Sequence, residues 1–146
     1  MTNDAKKIWQ AWGQGTSLYT SWAAARGINP YRLFVLYALH GETGITQKAI
    51  ADYTGLSKQT VNTVIRQLKA EGIIHLDNAD KDRREKLVLL TEAGTVYVSE
   101  LLAPLCEIEN RTFARIGAQR MQQMTDSIML FNTIFEQEKK LQEPEK

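Results

Sequence analysis

The sequence is poor in residues that build covalent or metal-held frameworks. Its 146 residues include one cysteine, two histidines and three prolines. A single cysteine cannot form a disulfide within the chain, which agrees with a reducing compartment. Cys106 stands beside Glu107, and a nearby carboxylate disfavours the reactive thiolate, so we expect a buried structural cysteine. His40 and His75 are isolated in the sequence. We therefore expect no metal site and no cofactor.

Long hydrophobic runs and a strong net charge are also missing. The most apolar stretch, "RLFVLYAL", is too short to cross a bilayer, and "MTNDAKKIWQ" lacks the apolar core of a signal peptide. We therefore expect a cytoplasmic protein that has no membrane partner. The net charge is +1, so the distribution of charge has to indicate the partner. No Ser–His–acid, metal or phosphate-loop constellation appears, which predicts that the chain is not an enzyme.

The pattern of apolar residues predicts a mainly α chain of one domain over residues 1–146. A first helix is expected at about 4–25, and Asn29 and Pro30 open a second, buried helix. After Gly72, "IIHL" and "KLVLL" flank the polar "DNADKDRRE", which predicts a two-stranded hairpin. Thr91 then caps a long helix through Ile116. A last helix is expected to reach about residue 138, followed by a frayed tail at 139–146.

The segment "ITQKAIADYTGLSKQTVNTVIRQL" meets the requirements of a helix-turn-helix. Ala51 supplies the small residue where two helices cross, and Gly55 supplies a turn residue that tolerates positive φ. Ser57 is placed to cap the second helix, whose inward face carries Val61 and Val64. We expect short helices at Gln47–Tyr53 and Lys58–Glu71.

The outward side of the second predicted helix is polar and free of acidic residues. No aspartate or glutamate occurs from Ser57 to Leu68. Amide and guanidinium groups can pair with base edges in a major groove, and lysine can reach phosphates. The alternative is an ordinary solvated face. The predicted DNA-binding residues on this helix are Ser57, Lys58, Gln59, Asn62, Thr63 and Arg66.

The hairpin tip adds a second candidate contact with DNA. It projects Arg83 and Arg84 together with Lys81 and Lys86, and a basic ribbon can lie in an adjacent minor groove. Asp82 is placed to orient Arg84 through a charge-assisted hydrogen bond. The alternative is a solvated loop, because acidic residues offset most of the charge.

Apolar residues in the first and last helices indicate a homodimer. Met121, Met124, Ile128, Phe131 and Phe135 follow one another at spacings of three and four, and the first helix carries three tryptophans. Packing within one subunit is the alternative. A dimer reading two half-sites predicts a pseudo-palindromic operator on double-stranded DNA.

Aromatic residues are concentrated in the first two helices. We expect a pocket for a small ligand there, with Arg26 or Arg32 as a polar anchor. The alternative is that these side chains form only core. The candidate ligand-binding residues are Trp12, Tyr19, Trp22 and Tyr37.

Four motifs together resemble the MarR family of bacterial transcription regulators. They are "GLSKQTV", "LKAEGII", "DRR" and "LLTEAG", in this order and spacing. The resemblance implies a winged helix-turn-helix lobe at about 30–92 with a small β-hairpin wing, flanked by dimerisation helices at about 4–25 and 93–138. It also implies a dimeric repressor that a small, often aromatic ligand releases from DNA. The alternative is a winged-helix module for protein–protein interaction without specific DNA binding. Such a module does not require an acid-free second helix.

Overall fold

A computed structural model describes residues 2–78 and 86–142 of the chain. The order of its elements is α1 (Asn3–Ala24), α2 (Pro30–Leu39), β1 (Ile45–Thr46), α3 (Gln47–Thr54), α4 (Lys58–Ala70), β2 (Ile74–Asn78), β3 (Lys86–Leu90), α5 (Glu92–Ile116) and α6 (Ala118–Gln142). The predicted fold class is confirmed: the chain is mainly helical with a small antiparallel sheet. Within the described ranges no helix is both long and apolar enough to span a membrane.

The chain divides into two compact units, Met1–Leu102 and Ala103–Lys146. The first contains α1 to α4, the sheet and the first part of α5. Helix α2 is central to its core, and Asn29 caps α2 as predicted by accepting hydrogen bonds from the backbone of Tyr31 and Arg32. Five of the ten residues of α2 are buried, which confirms the predicted burial; they are Leu33, Val35, Leu36, Ala38 and Leu39.

The sheet has three strands, whereas the sequence predicted a ribbon of two. Strand β3 lies in the middle, in the order β1-β3-β2, and both neighbours run antiparallel to it. Strand β1 is only two residues long, which is too short to show the alternation that identifies a strand in a sequence. Its Thr46 pairs with Leu87 and also caps α3 by accepting a hydrogen bond from the Ala49 amide at 3.1 Å.

A tight junction ties the start of α5 to the residues that follow α4. The Thr91 amide donates to the Ile73 carbonyl at 3.0 Å, and the Thr91 hydroxyl donates to the Gly72 carbonyl at 2.7 Å. The same hydroxyl accepts from the Gly94 amide at 2.9 Å, as the predicted cap requires. A Cβ on Gly94 would lie 1.9 Å from the Ile73 carbonyl oxygen, so the backbones can approach this closely only because residue 94 is glycine.

The second unit contains the rest of α5 and all of α6. Gly117, with φ of 93°, separates the two helices as predicted. Helix α6 continues to Gln142, although the sequence prediction ended it at residue 138, because the charged stretch after Phe135 has no helix breaker before Pro144. Cys106 is half-buried rather than fully buried as predicted.

Candidate nucleic-acid interface

Helices α3 and α4 form the predicted helix-turn-helix. Ala51 is 7% exposed, and Gly55 at the end of α3 adopts φ of 71°, the left-handed conformation that glycine tolerates. The Gly55 amide donates to the Ala51 carbonyl at 2.9 Å. These contacts close α3 and turn the chain into α4 within three residues.

Ser57 begins α4 as its N-cap. Its hydroxyl oxygen accepts from the Thr60 amide at 3.1 Å and is hydrogen-bonded to the Thr60 hydroxyl at 2.8 Å. The Ser57 side chain is therefore engaged with the first turn of its own helix. Among the predicted site residues, Ser57 therefore caps the helix that carries the others.

The two sides of α4 differ sharply in burial. The inward side is formed by Val61, Val64, Ile65 and Leu68, which are at most 5% exposed. The opposite side is exposed, and we call it the outward face; it consists of Lys58, Gln59, Asn62, Thr63 and Arg66. Among the residues that the structure describes, the side chains of Lys58, Gln59, Asn62 and Arg66 have no hydrogen bond or ion pair. Their donors and acceptors are therefore open to solvent or to another molecule.

Thr63 differs from its neighbours on the outward face. Its hydroxyl donates a hydrogen bond to the Gln59 carbonyl at 3.0 Å, one turn earlier in the helix. The hydroxyl hydrogen is therefore occupied, and the exposed part of the side chain offers a methyl group and the oxygen lone pairs.

An ion pair holds the C-terminal end of α4. Arg32 donates to both carboxylate oxygens of Glu71, at 2.8 and 2.6 Å, and to the Tyr97 hydroxyl at 3.4 Å. The hydrogen bonds with Glu71 raise the pKa of Arg32, and the same contact lowers the pKa of Glu71. Sequence analysis missed this contact, because Arg32 and Glu71 are 39 residues apart and no local pattern connects them.

A groove of about 280 Å³, here called the side groove, lies between the start of α2 and α4. Tyr31 forms one wall and is 51% exposed. No pattern in the sequence indicates that Tyr31 and Gln67 lie beside one groove. The residues that line the side groove are Asn29, Tyr31, Gln59, Thr60, Thr63, Val64 and Gln67.

A second depression, here called the aromatic cavity, has a volume of about 370 Å³. Two of the four predicted ligand residues, Tyr19 and Tyr37, are among its lining residues, and Trp12 and Trp22 are not. Trp12 instead packs edge-to-face on Trp9, with ring centroids 6.3 Å apart. The residues that line the aromatic cavity are Gly15, Thr16, Tyr19, Leu33, Phe34, Tyr37, Tyr53 and Thr54.

Neither arginine predicted as a polar anchor lines the aromatic cavity. The Arg26 guanidinium lies 4.0 Å from the centroid of the Trp22 ring and donates to the Trp22 carbonyl at 3.3 Å. Arg32 is held by Glu71. The lining that the structure describes is therefore mainly aromatic and aliphatic, and it is uncharged.

The tip of the wing, the hairpin of β2 and β3, falls outside the described residues. This concerns the predictions for Lys81, Asp82, Arg83 and Arg84. The base of the wing is described, with Asn78 paired to Lys86, and both of these residues are exposed.

The fold and the outward face of α4 together define a winged helix-turn-helix protein.

The predicted resemblance to the MarR family is confirmed over the winged-helix part of the chain: a MarR family model matches residues 26–85. It is 36% identical over 75 residues to the uncharacterized HTH-type transcriptional regulator YdcH of Bacillus subtilis, which is 51% of this chain and 50% of that protein. The matched part thus spans half the length of this relative. The family comprises transcription regulators rather than enzymes.

Solved structures agree over nearly the whole chain. NMB1585, a MarR family regulator from Neisseria meningitidis, superposes with a TM-score of 0.87 at 26% identity, covering 97% of this chain and 100% of that one. Bordetella bronchiseptica BpsR superposes with a TM-score of 0.66 at 20% identity, covering 88% of this chain and 91% of its own. The BpsR structure describes how 6-hydroxynicotinic acid regulates the binding of that protein to DNA.

Proposed function

We propose that this protein is a dimeric transcriptional repressor that binds a pseudo-palindromic operator and is released by a small ligand. The observation that carries the proposal is the outward face of α4. Its polar side chains are exposed and acid-free, while the opposite side is buried in the core. A helix built in this way can enter a major groove without burying a carboxylate against phosphate.

The residues on the outward face divide by chemistry. Gln59 and Asn62 carry amides that pair bidentately with adenine, and Arg66 can pair with guanine. Lys58 stands in the first turn of α4 and is suited to phosphate. Arg83 and Arg84 complete the proposal as minor-groove contacts of the wing, which their charge and place in the sequence support.

Exposed apolar side chains support the homodimer. No described residue of α6 is buried. Its apolar residues Met129, Leu130 and Phe135 are accordingly 63%, 60% and 60% exposed. On α1, Trp9 and Leu18 are 69% and 71% exposed. Isolated apolar residues are common on a surface, but two helices with this many indicate surfaces that a partner covers. The proposed partner is a second copy of the chain. We place the dimer in the cytoplasm, where its DNA operator would lie.

The aromatic cavity supports a ligand-responsive regulator. It lies between α1, α2 and α3, so an occupant touches the first helix of the helix-turn-helix through Tyr53 and Thr54. A ligand shifts the equilibrium between two conformations only if it binds one of them more tightly. A ligand that contacts α3 can do so when α3 moves, and it could thereby release the protein from DNA. Regulation of BpsR by 6-hydroxynicotinic acid is the corresponding case among proteins of this fold.

Selection of bound sequences from random duplex DNA tests the proposal. We expect a preferred site with related half-sites, and binding that weakens steeply with salt. Replacing Asn62 by Ala should then cost about 1–3 kcal/mol on the preferred site and relax discrimination at one or two base pairs. A scrambled duplex serves as the control. Equal losses on both duplexes would contradict base reading by Asn62.

A further inference from the structure

We propose that the side groove seats the sugar–phosphate backbone of one DNA strand beside the major groove, with Tyr31 and Gln67 as its hydrogen-bond donors. The inference rests on the proposed DNA binding and adds two residues that belong to neither the outward face nor the wing. It also assigns a role in binding to the start of α2, outside the helix-turn-helix.

The position of the groove connects it to the outward face. Gln59 and Thr63 line the groove and also belong to that face, so the two surfaces are continuous. Gln59, Thr63 and Gln67 follow one another at a spacing of four along one edge of α4. When a duplex presents base edges to Gln59, the backbone beside those bases comes within reach of the edge of α4 where Tyr31 lies.

The available donors are side chains, not the end of the helix. The amides of Tyr31 and Arg32 already donate to the Asn29 side chain, at 2.9 and 3.4 Å. The hydroxyls of Thr60 and Thr63 are engaged within α4. Within the described chain, the Tyr31 hydroxyl and the side-chain amides of Gln59 and Gln67 have no partner. Tyr31 and Gln67 thus supply two uncharged donors among the residues that line the side groove, while Gln59 remains available to base edges.

The charge of the groove fits an anionic partner. Its described lining contains no carboxylate. The nearest acidic residue after α4 is Glu71, and both of its oxygens are held by Arg32. Neutral hydroxyl and amide donors commonly bind phosphate oxygens and fix the register of a protein on DNA. The half-exposed Tyr31 ring adds an apolar surface for deoxyribose.

The first test compares Tyr31→Phe with Lys58→Ala in the full-length protein. Tyr31→Phe removes one hydroxyl from an exposed side chain, so the thermal stability of this variant should equal that of the parent. We expect affinity to fall about tenfold, the loss expected for a hydrogen bond to a charged group. The loss should be equal on the selected and scrambled duplexes. Tyrosine displaces no counterion, so the salt slope should be unchanged, whereas Lys58→Ala should lower it by about one.

The second test locates the contact on the DNA. Single methylphosphonates are placed along the selected duplex, each removing one backbone charge. When the contacted phosphate is replaced in both half-sites at once, we expect the parent to weaken as much as Tyr31→Phe does, with no further loss when both changes are combined. Gln67→Ala should show the same non-additivity at that phosphate or a neighbour, which keeps the test valid if one variant folds poorly.

The outcomes separate this inference from the proposed function. A parent protein that binds no selected duplex overturns both. A parent that binds while Tyr31→Phe and Gln67→Ala match it in affinity overturns the side groove alone. Additive losses at every methylphosphonate, or a Tyr31→Phe loss confined to the selected sequence, would likewise overturn the backbone contact.

Discussion

The Thr63 hydroxyl already makes a hydrogen bond within the protein in the absence of DNA. It donates to the Gln59 carbonyl at 3.0 Å, so the side chain presents a methyl group and oxygen lone pairs to a groove. A methyl group packs well against the 5-methyl of thymine, and the lone pairs can accept only from adenine N6 or cytosine N4. At the scale of one residue, the internal hydrogen bond narrows the bases that Thr63 can read.

We predict that Thr63 reads a thymine through its methyl group. Thr63→Val keeps the methyl and should bind the selected duplex within about 0.5 kcal/mol of the parent. Thr63→Ser should lose about 0.8 kcal/mol, the value of one buried methylene-sized group. Replacing the contacted thymine by uracil should weaken the parent and leave Thr63→Ser unaffected. The reverse order of the two variants would contradict methyl contact and indicate that the hydroxyl is the reading group.

The sequence was sufficient to predict the outward face but not the residues around it. A helical wheel orients Gln59, Asn62 and Arg66 once Val61 faces the core, because helix geometry is local. Tyr31 and Gln67 meet only after α2 packs beside α4, and the approach of two helices is set by the whole core. The same reason hid the pairing of Arg32 with Glu71.

At the scale of elements, one ion pair joins three helices. Arg32 on α2 binds Glu71, the C-cap of α4, and its guanidinium carbon lies 5.8 Å from the centroid of the Tyr97 ring on α5. The Arg32 side chain is 17% exposed and that of Glu71 is 47% exposed. This contact ties the C-terminal end of α4 to α2 and α5, and it therefore helps to hold the outward face in its orientation.

We predict that Glu71→Gln lowers the free energy of unfolding by about 1 kcal/mol, because the bidentate pair is only partly shielded from water. The hydrogen bond with Arg32 lowers the pKa of Glu71 below its ordinary value of 4.5. A lowered pKa in the folded state stabilises the fold above the unfolded value, and this contribution is lost as the pH falls through the folded value.

Urea unfolding of both proteins between pH 7 and pH 3 checks this expectation. The difference between parent and variant should be constant near neutrality and should shrink once the pH falls below about 4.5, the ordinary value for a glutamate. A difference that stays constant down to pH 3 would show that the substitution acts through packing rather than through the ion pair.

The elements themselves were predicted to within a residue or two where caps are strong. Asn29, Ser57 and Thr91 each mark a helix start through a side chain that bonds its own first turn. Strand β1 was missed, because two residues carry no periodicity and their pairing with β3 is a tertiary contact. The end of α6 that the sequence predicts is too early, because a polar composition without a helix breaker does not by itself end a helix.

At the scale of the whole molecule, the exposed apolar residues of α6 predict association. We expect a dimer at micromolar concentration by sedimentation, bound to half-sites about one helical turn, or roughly 10 base pairs, apart. Phe135→Glu should shift the protein to a monomer and weaken operator binding, since the second half-site contact is then no longer intramolecular.

Phe135→Leu is the matched control, because it keeps an apolar side chain of similar reach and should remain dimeric. Phe135 stacks on Phe131 with ring centroids 5.7 Å apart, so this control also separates loss of the ring pair from loss of the apolar surface. A monomeric parent, or a Phe135→Glu variant that stays dimeric, would contradict association through α6.

The central place of β3 has a consequence for how the operator is encoded. β3 pairs on one side with β2 and on the other with β1, whose Thr46 also begins the helix-turn-helix. The base of the wing and the start of α3 are therefore one hydrogen-bonded piece, and neither can tilt alone. Preferences for bases read by the helix and by the wing would then be correlated rather than independent. A model that adds independent contributions from each operator position would mispredict the affinity of sites in which the bases read by the helix and those read by the wing both change.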